Sequence, residues 1–254
     1  MININLTKTK LANKSFTVFK SDYSIISFLV VYFLIGIFSY KDYGVGIEEH
    51  FQRSSGFFWL DYILQYTNFE SLKLIVENKI LEIQSFDPEL PSLKIANYYG
   101  ILFDLPTAFI ESFFNVQNSN NYFYFRHFIN FTIFFISGIF FYKILINRSY
   151  NKLISFLGCS LYLLAPRAFG NSFFDGKDVF FLSILTITFY FYQKFEMKKN
   201  YTSLILFALF CAFSTSTRIF GLILPISFFL ICFFETLNQN KILEKIKILF
   251  CFLI

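Results

Sequence analysis

Ser24-Ile25-Ile26-Ser27-Phe28-Leu29-Val30-Val31-Tyr32-Phe33-Leu34-Ile35-Gly36-Ile37-Phe38-Ser39-Tyr40 carries no ionisable side chain other than tyrosine. With Tyr23 it approaches the roughly 20 apolar residues that cross a hydrocarbon core as a helix. A secretory signal peptide is the competing reading. Against it, Lys8, Lys10, Lys14 and Lys20 sit far upstream, and no small-residue cleavage site follows Tyr40. The segment reads as a retained membrane helix.

The rest of the chain agrees. Of 254 residues, 56% are hydrophobic, 23% aromatic and 15% charged, against roughly 25% charged in an ordinary soluble domain. Further apolar runs occupy Phe128 to Tyr142, Leu153 to Ala165, Val179 to Tyr192, Tyr201 to Phe213, Ile219 to Phe234 and Ile248 to the end. The expected fold is all-α and polytopic, with about seven transmembrane helices that tolerate polar, uncharged neighbours inside a bundle. Cys159, Cys211, Cys232 and Cys251 lie within apolar runs without paired spacing, as small packing residues do.

Basic residues orient such a bundle. Lys8, Lys10, Lys14 and Lys20, then Lys143, Arg148 and Lys152, then Lys194, Lys198 and Lys199, then Lys241, Lys245 and Lys247 fall on one side. The opposite side has Arg167, Lys177 and Arg218. The N-terminus is therefore expected in the cytoplasm of a plasma (inner) membrane, with the Glu48-Glu49 loop and the 166–178 loop on the outer, periplasmic face. The net charge of +5 comes largely from the cytoplasmic lysines and points to anionic headgroups, not to nucleic acid.

Residues 41–125 form the one long outer loop. Thr67-Asn68-Phe69-Glu70 reads as a capping box, followed by Leu72, Ile75, Val76, Ile80 and Ile83 at helical spacing with Lys73, Glu77, Asn78 and Glu82 opposite. That pattern predicts a helix lying along the membrane surface. Beyond the turn at Asp87-Pro88-Glu89-Leu90-Pro91, the apolar stretch Ala96 to Phe114 is interrupted by Asp104, Pro106 and Glu111, which predicts an interfacial or re-entrant helix rather than a crossing.

Polar clusters mark the ends of the apolar runs. Asp42, Glu48, Glu49, His50 and Arg53 follow the first helix within a dozen residues, and the side chains of two adjacent glutamates diverge. One can face a cavity while the other makes a supporting contact. Pro166-Arg167 and Asp175-Gly176-Lys177-Asp178 border a short loop. Asp178 stands where a helix start favours a carboxylate, whereas Arg167 and Lys177 suit a phosphate. Arg218 lies alone between two apolar runs, and Arg126-His127 opens the second membrane helix, where the water boundary is expected. No close-spaced ligand set indicates a metal, although a divalent ion is compatible with such a site.

This order of pieces, including Tyr98-Tyr99-Gly100 to Asp104, resembles the GT-C superfamily of membrane glycosyltransferases over most of residues 20–235. The nearest groups are protein O-mannosyltransferase and aminoarabinose-transferase relatives, including the bacterial RgtA/B/C/D-like branch. The resemblance implies transfer of a sugar from a polyprenyl-phosphate carrier to a glycan, lipid or protein acceptor at the outer face. By the same resemblance Glu48 takes the place of the family's usual catalytic aspartate and Glu49 that of the second acid, with Asp42 the alternative base. Arg167, Lys177 and Arg218, with Asp175, Asp178, Arg126 and His127, fall on the donor-phosphate side. Residues 1–254 then form a single GT-C-like transmembrane domain. It is expected to be an N-terminal fragment, because the chain stops inside the apolar run Phe250 to Ile254. A transporter would place its charges near the bilayer midplane; here they gather at helix ends. A non-catalytic membrane subunit is the remaining alternative.

Overall fold

Thirty-one consecutive residues, Ser119–Ser149, form the longest helix, and the other elements are arranged around it. The structure is a computed structural model, and it describes residues 23–96, 100–149 and 151–238. Among these residues every regular element is helical: α1 (Tyr23–Ser39), α2 (Glu49–Leu64), α3 (Glu70–Phe86), α4 (Leu93–Ala96), α5 (Asp104–Phe113), α6 (Ser119–Ser149), α7 (Lys152–Leu164), α8 (Pro166–Phe174), α9 (Asp178–Lys198), α10 (Tyr201–Thr217), a 3-10 turn (Ile219–Leu222) and α11 (Ile223–Asn238). The first four and last three basic residues used for orientation, Tyr98-Tyr99, Cys251 and the final apolar run lie outside the described residues.

Local sequence accounts for the boundaries. The Asn151 side chain accepts from the amides of Leu153 and Ile154, and Asn200 accepts from Ser203, so both short hairpins end in a side-chain cap. Ala165, extended at ψ 116° as a residue before proline must be, ends α7. Pro166 then starts α8 at a position where a missing N–H costs nothing, and the pair is bent by 53°. The capping box expected at Thr67 does not form. The Thr67 hydroxyl donates to the Leu64 carbonyl instead, closing α2, and Phe69 occupies the cap of α3 without a side-chain bond.

Against α6 pack α1, α7, α8 and α9, and α10 packs on α9. The α1–α6–α8 core is aromatic: Tyr32 stacks on Phe131, Phe131 on Phe173, and the Tyr32 hydroxyl donates to the Leu163 carbonyl at 3.2 Å. Hydroxyls join helices elsewhere, with Tyr162 bridging Ser137 and Thr186, and Thr188 reaching Ser214. Such bonds suit an environment without water. A separate small core of Phe57, Leu60, Val76, Ile83 and Ala108 unites α2, α3 and α5. Cys159, Cys211 and Cys232 are buried and form no disulfide among the described residues.

Among the described residues one helix, α6, is long and apolar enough to cross a bilayer, and the bent pair α7–α8 is a second candidate if it is one span. Helices α1 and α10 are apolar but 17 residues long, a rise of about 25 Å against a hydrocarbon core of about 30 Å. Helix α9 has the length, but Asp178, Lys194, Glu196 and Lys198 lie within it. Lengths of this kind do not establish about seven crossings. The outward faces are nonetheless apolar: Val30, Val31, Leu34 and Phe38 on α1, Leu153, Leu157 and Leu161 on α7, and Ile205 and Leu209 on α10 are exposed.

A Cβ at Gly36 would lie 1.8 Å from the buried Phe131 ring, whereas one at Gly44 meets nothing within 4 Å. Gly36→Ala is expected to lower stability by about 1–3 kcal/mol through overpacking, outweighing the better helix propensity of alanine. Gly44→Ala is expected to leave it unchanged, as read by thermal unfolding of the purified protein in detergent.

Candidate active site

The chain leaves α1 at Ser39, turns, and enters α2 at Glu49. The Glu49 carboxylate fixes that turn. Its Oε2 accepts from the Gly46 amide at 2.7 Å and stands 3.2 Å from His127 Nε2, and both side chains are almost wholly buried. The other ring nitrogen of His127 faces the Tyr40 carbonyl at 3.3 Å. A carbonyl only accepts, so Nδ1 donates to it, and Nε2 is left to face the Glu49 carboxylate. One α6 side chain thus ties the exit of α1 to the start of α2.

With Glu49 held inward, Glu48 points outward. Its Oε2 is 3.4 Å from Lys177 Nζ, with the glutamate mostly exposed and the lysine mostly covered. Two ring contacts support this approach: Tyr43 stacks on Phe173 at 4.2 Å, and Gly46 lies against Phe174.

The 175–178 turn is built by Asp175. One of its oxygens accepts from the Lys177 and Asp178 amides at 3.1 and 2.7 Å, opening α9. The cap expected of Asp178 is therefore supplied by Asp175, and Asp178 pairs with Arg218 instead. Partial burial pushes the Asp175 carboxyl above the usual carboxylate range, opposed by the Lys177 amide and the Arg218 charge. Gly100 brings the 100–103 segment onto the end of α10, where any Cβ would collide with the backbone of Ser216 and Thr217 just before Arg218.

Glu48, Lys177, Asp175, Asp178 and Arg218 therefore share one end of the helices. Arg167 is exposed near the start of α8 and has no ion pair among the described residues; the helix separates it from Asp175 by about 10–12 Å. Asp42 is exposed and also unpaired among the described residues.

Behind this rim lies a charged interior. Arg126 is 2% exposed and donates to Asp104 at 2.5 Å and to Thr107 at 2.8 Å. Burial raises the Asp104 carboxyl, and Arg126 opposes that rise. Arg53 grips both oxygens of Glu111 at 3.1 and 2.6 Å and covers the Tyr122 ring, while Lys79 reaches the Val116 carbonyl and stands 3.9 Å from Glu111. Arg126 and His127 are buried in this seam and do not face solvent. Gln52 and Asn130 are buried beside it, with Gln52 Oε1 and both Asn130 amide atoms lacking a protein partner. Among the described residues no group of three or more His, Cys, Asp or Glu side chains could hold a metal.

Sequence reading missed the Lys79–Glu111–Arg53 chain and the burial of Gln52 and Asn130. A signal existed for Asp104 and Glu111, which are charges inside an apolar stretch.

The model of the dolichyl-phosphate-mannose-protein mannosyltransferase family matches residues 91–254, most of the chain and all of the segment from Asp104 to Arg218. The chain belongs to that family. It is thus a member of a family of integral membrane glycosyltransferases that use a polyprenyl-phosphate sugar donor, within the superfamily its sequence resembles. No curated protein and no solved structure matches the chain.

Removing one partner of the buried Asp104–Arg126 pair strands the other charge, which typically costs about 3–5 kcal/mol. Asp104→Asn is expected to lower the melting temperature sharply, and the joint replacement Asp104→Leu with Arg126→Met to recover most of the loss.

Proposed function

We propose that this protein transfers a sugar from a polyprenyl-phosphate carrier to an acceptor hydroxyl at the outer face of the membrane, by one inverting displacement. The observation that carries the reading is the 3.4 Å approach of the Glu48 carboxylate to the Lys177 ammonium. It brings the acids after α1 and the cations before α9 to a single rim.

In this mechanism Glu48 takes the proton of the attacking hydroxyl, and Glu49 holds the turn that presents it. Positive charge must meet the departing phosphate. Lys177 and Arg218 supply it, each now paired with a carboxylate that an arriving phosphate would replace; Arg167, at the far end of α8, is the more distant cation of the proposed donor side. Fixed charge in a water-poor site is worth far more than in bulk solvent. The proposed arrangement has the N-terminus in the cytoplasm and about seven crossings, with residues 41–125 as an outer loop whose helices lie in the interface. The carrier's tail would lie between helices.

Glu48→Gln removes the base with little change of shape. Transfer in membranes is expected to fall by roughly 10²- to 10⁴-fold, the usual value of a positioned base, with insertion and melting temperature unchanged. Full activity there, with loss in Asp42→Asn, assigns the base to Asp42.

A further inference from the structure

A cavity of about 640 Å³ opens between the 45–47 loop, the start of α2, the end of α3 and the start of α6. Its walls include the rings of Phe51, Phe86, Tyr122 and Phe123. Its polar groups keep unused bonding capacity among the described residues. Arg53 is nine-tenths buried, and its Nη1 is left without a partner while Nε and Nη2 hold Glu111. Glu82 accepts from Lys79 through one oxygen, Asp87 accepts from the Glu89 amide through one oxygen, and Asn120 offers a side-chain amide at the rim.

The chemistry of these groups selects the ligand. Glu111 already neutralises Arg53, so the cavity carries no excess positive charge for a phosphate or carboxylate. Most of its lining is helix, whose backbone groups bond internally, and no strand borders it among the described residues, so an extended peptide finds no ladder to join. A saccharide has apolar C–H faces that rest on rings and hydroxyls that both donate and accept. A wall of four rings with two free carboxylate oxygens, a guanidinium donor and an amide matches that pattern, and the volume suits a small ligand.

We infer that this cavity binds a neutral saccharide, and that it is the seat of the acceptor. The second part rests on the transferase reading: Ile47 and His50 line the cavity and bracket Glu48-Glu49, so an occupant would end beside the proposed base.

The test is saturation-transfer NMR on the full chain in detergent micelles, with maltotriose, mannotriose and a Ser/Thr-rich peptide as probes. Phe86 is 85% exposed, so Phe86→Ala leaves the core intact. At least one trisaccharide should bind the unaltered protein. Binding should weaken by roughly 3- to 10-fold in Phe86→Ala, the value of one ring contact, and also in Asp87→Asn, and persist in Glu48→Gln. Absence of trisaccharide binding, binding indifferent to both cavity variants, or binding of the peptide alone would overturn the inference. Retained sugar transfer in Glu48→Gln, with saccharide binding still lost in the cavity variants, would remove the proposed base and leave the cavity assignment standing.

Discussion

Burying charge is costly unless each group meets a partner, and this constraint organises the molecule. Helix α6 carries Arg126 and His127 on consecutive positions, and their side chains reach different elements: Asp104 on α5 and Glu49 at the start of α2. An unpaired member would face a desolvation penalty of several kcal/mol. The segment between α1 and α6 therefore has little choice of register against the long helix. Arg53 and Glu111 repeat the device between α2 and α5.

The proposed function rests on what the seam leaves outside. Because Glu49 is occupied by His127 and Gly46, its neighbour Glu48 is free to meet Lys177. Asp175, spent on two backbone amides, fixes the turn that delivers Lys177 and lets Asp178 meet Arg218. Glu48 and the Lys177-Asp178 pair thus each have a buried or backbone-bound residue close in sequence that sets their direction. A rim positioned this way is preorganised, the property a site for charge development needs.

Much of this was legible in the sequence. Apolar runs located α1, α6, α7, α9, α10 and α11, and the paired acids and the 175–178 cluster marked the rim; α2 carried no such run, and α8 is a helix where Pro166 to Phe174 read as a loop. Charges interrupting the stretch Ala96 to Phe114 agree with the ten-residue length of α5, too short for a helical crossing. The rest depended on tertiary pairing. Nothing in the local pattern says that Lys79, on the same helix as exposed Glu77, is buried against Val116, or that Thr67 serves the helix before it and not the one after. That Arg126 and His127 are buried was not legible from their place near a helix start; long-range partners, invisible to periodicity, hold them inside. Helix count was the least legible quantity, since runs of 17 residues sit at the margin of a crossing.

The central claim is that the turn after α1 and the end of α8 meet at one end of the helices. Cysteines placed at Gly46 and Phe174 measure this directly, because the Cβ positions are 3.6 Å apart, within the 3.5–4.5 Å of a disulfide. Mild oxidation of intact membranes should cross-link the doubly substituted chain, and an impermeant maleimide should label each single variant from the same side. Absence of the cross-link with both thiols reactive, or labelling from opposite sides, would contradict the account.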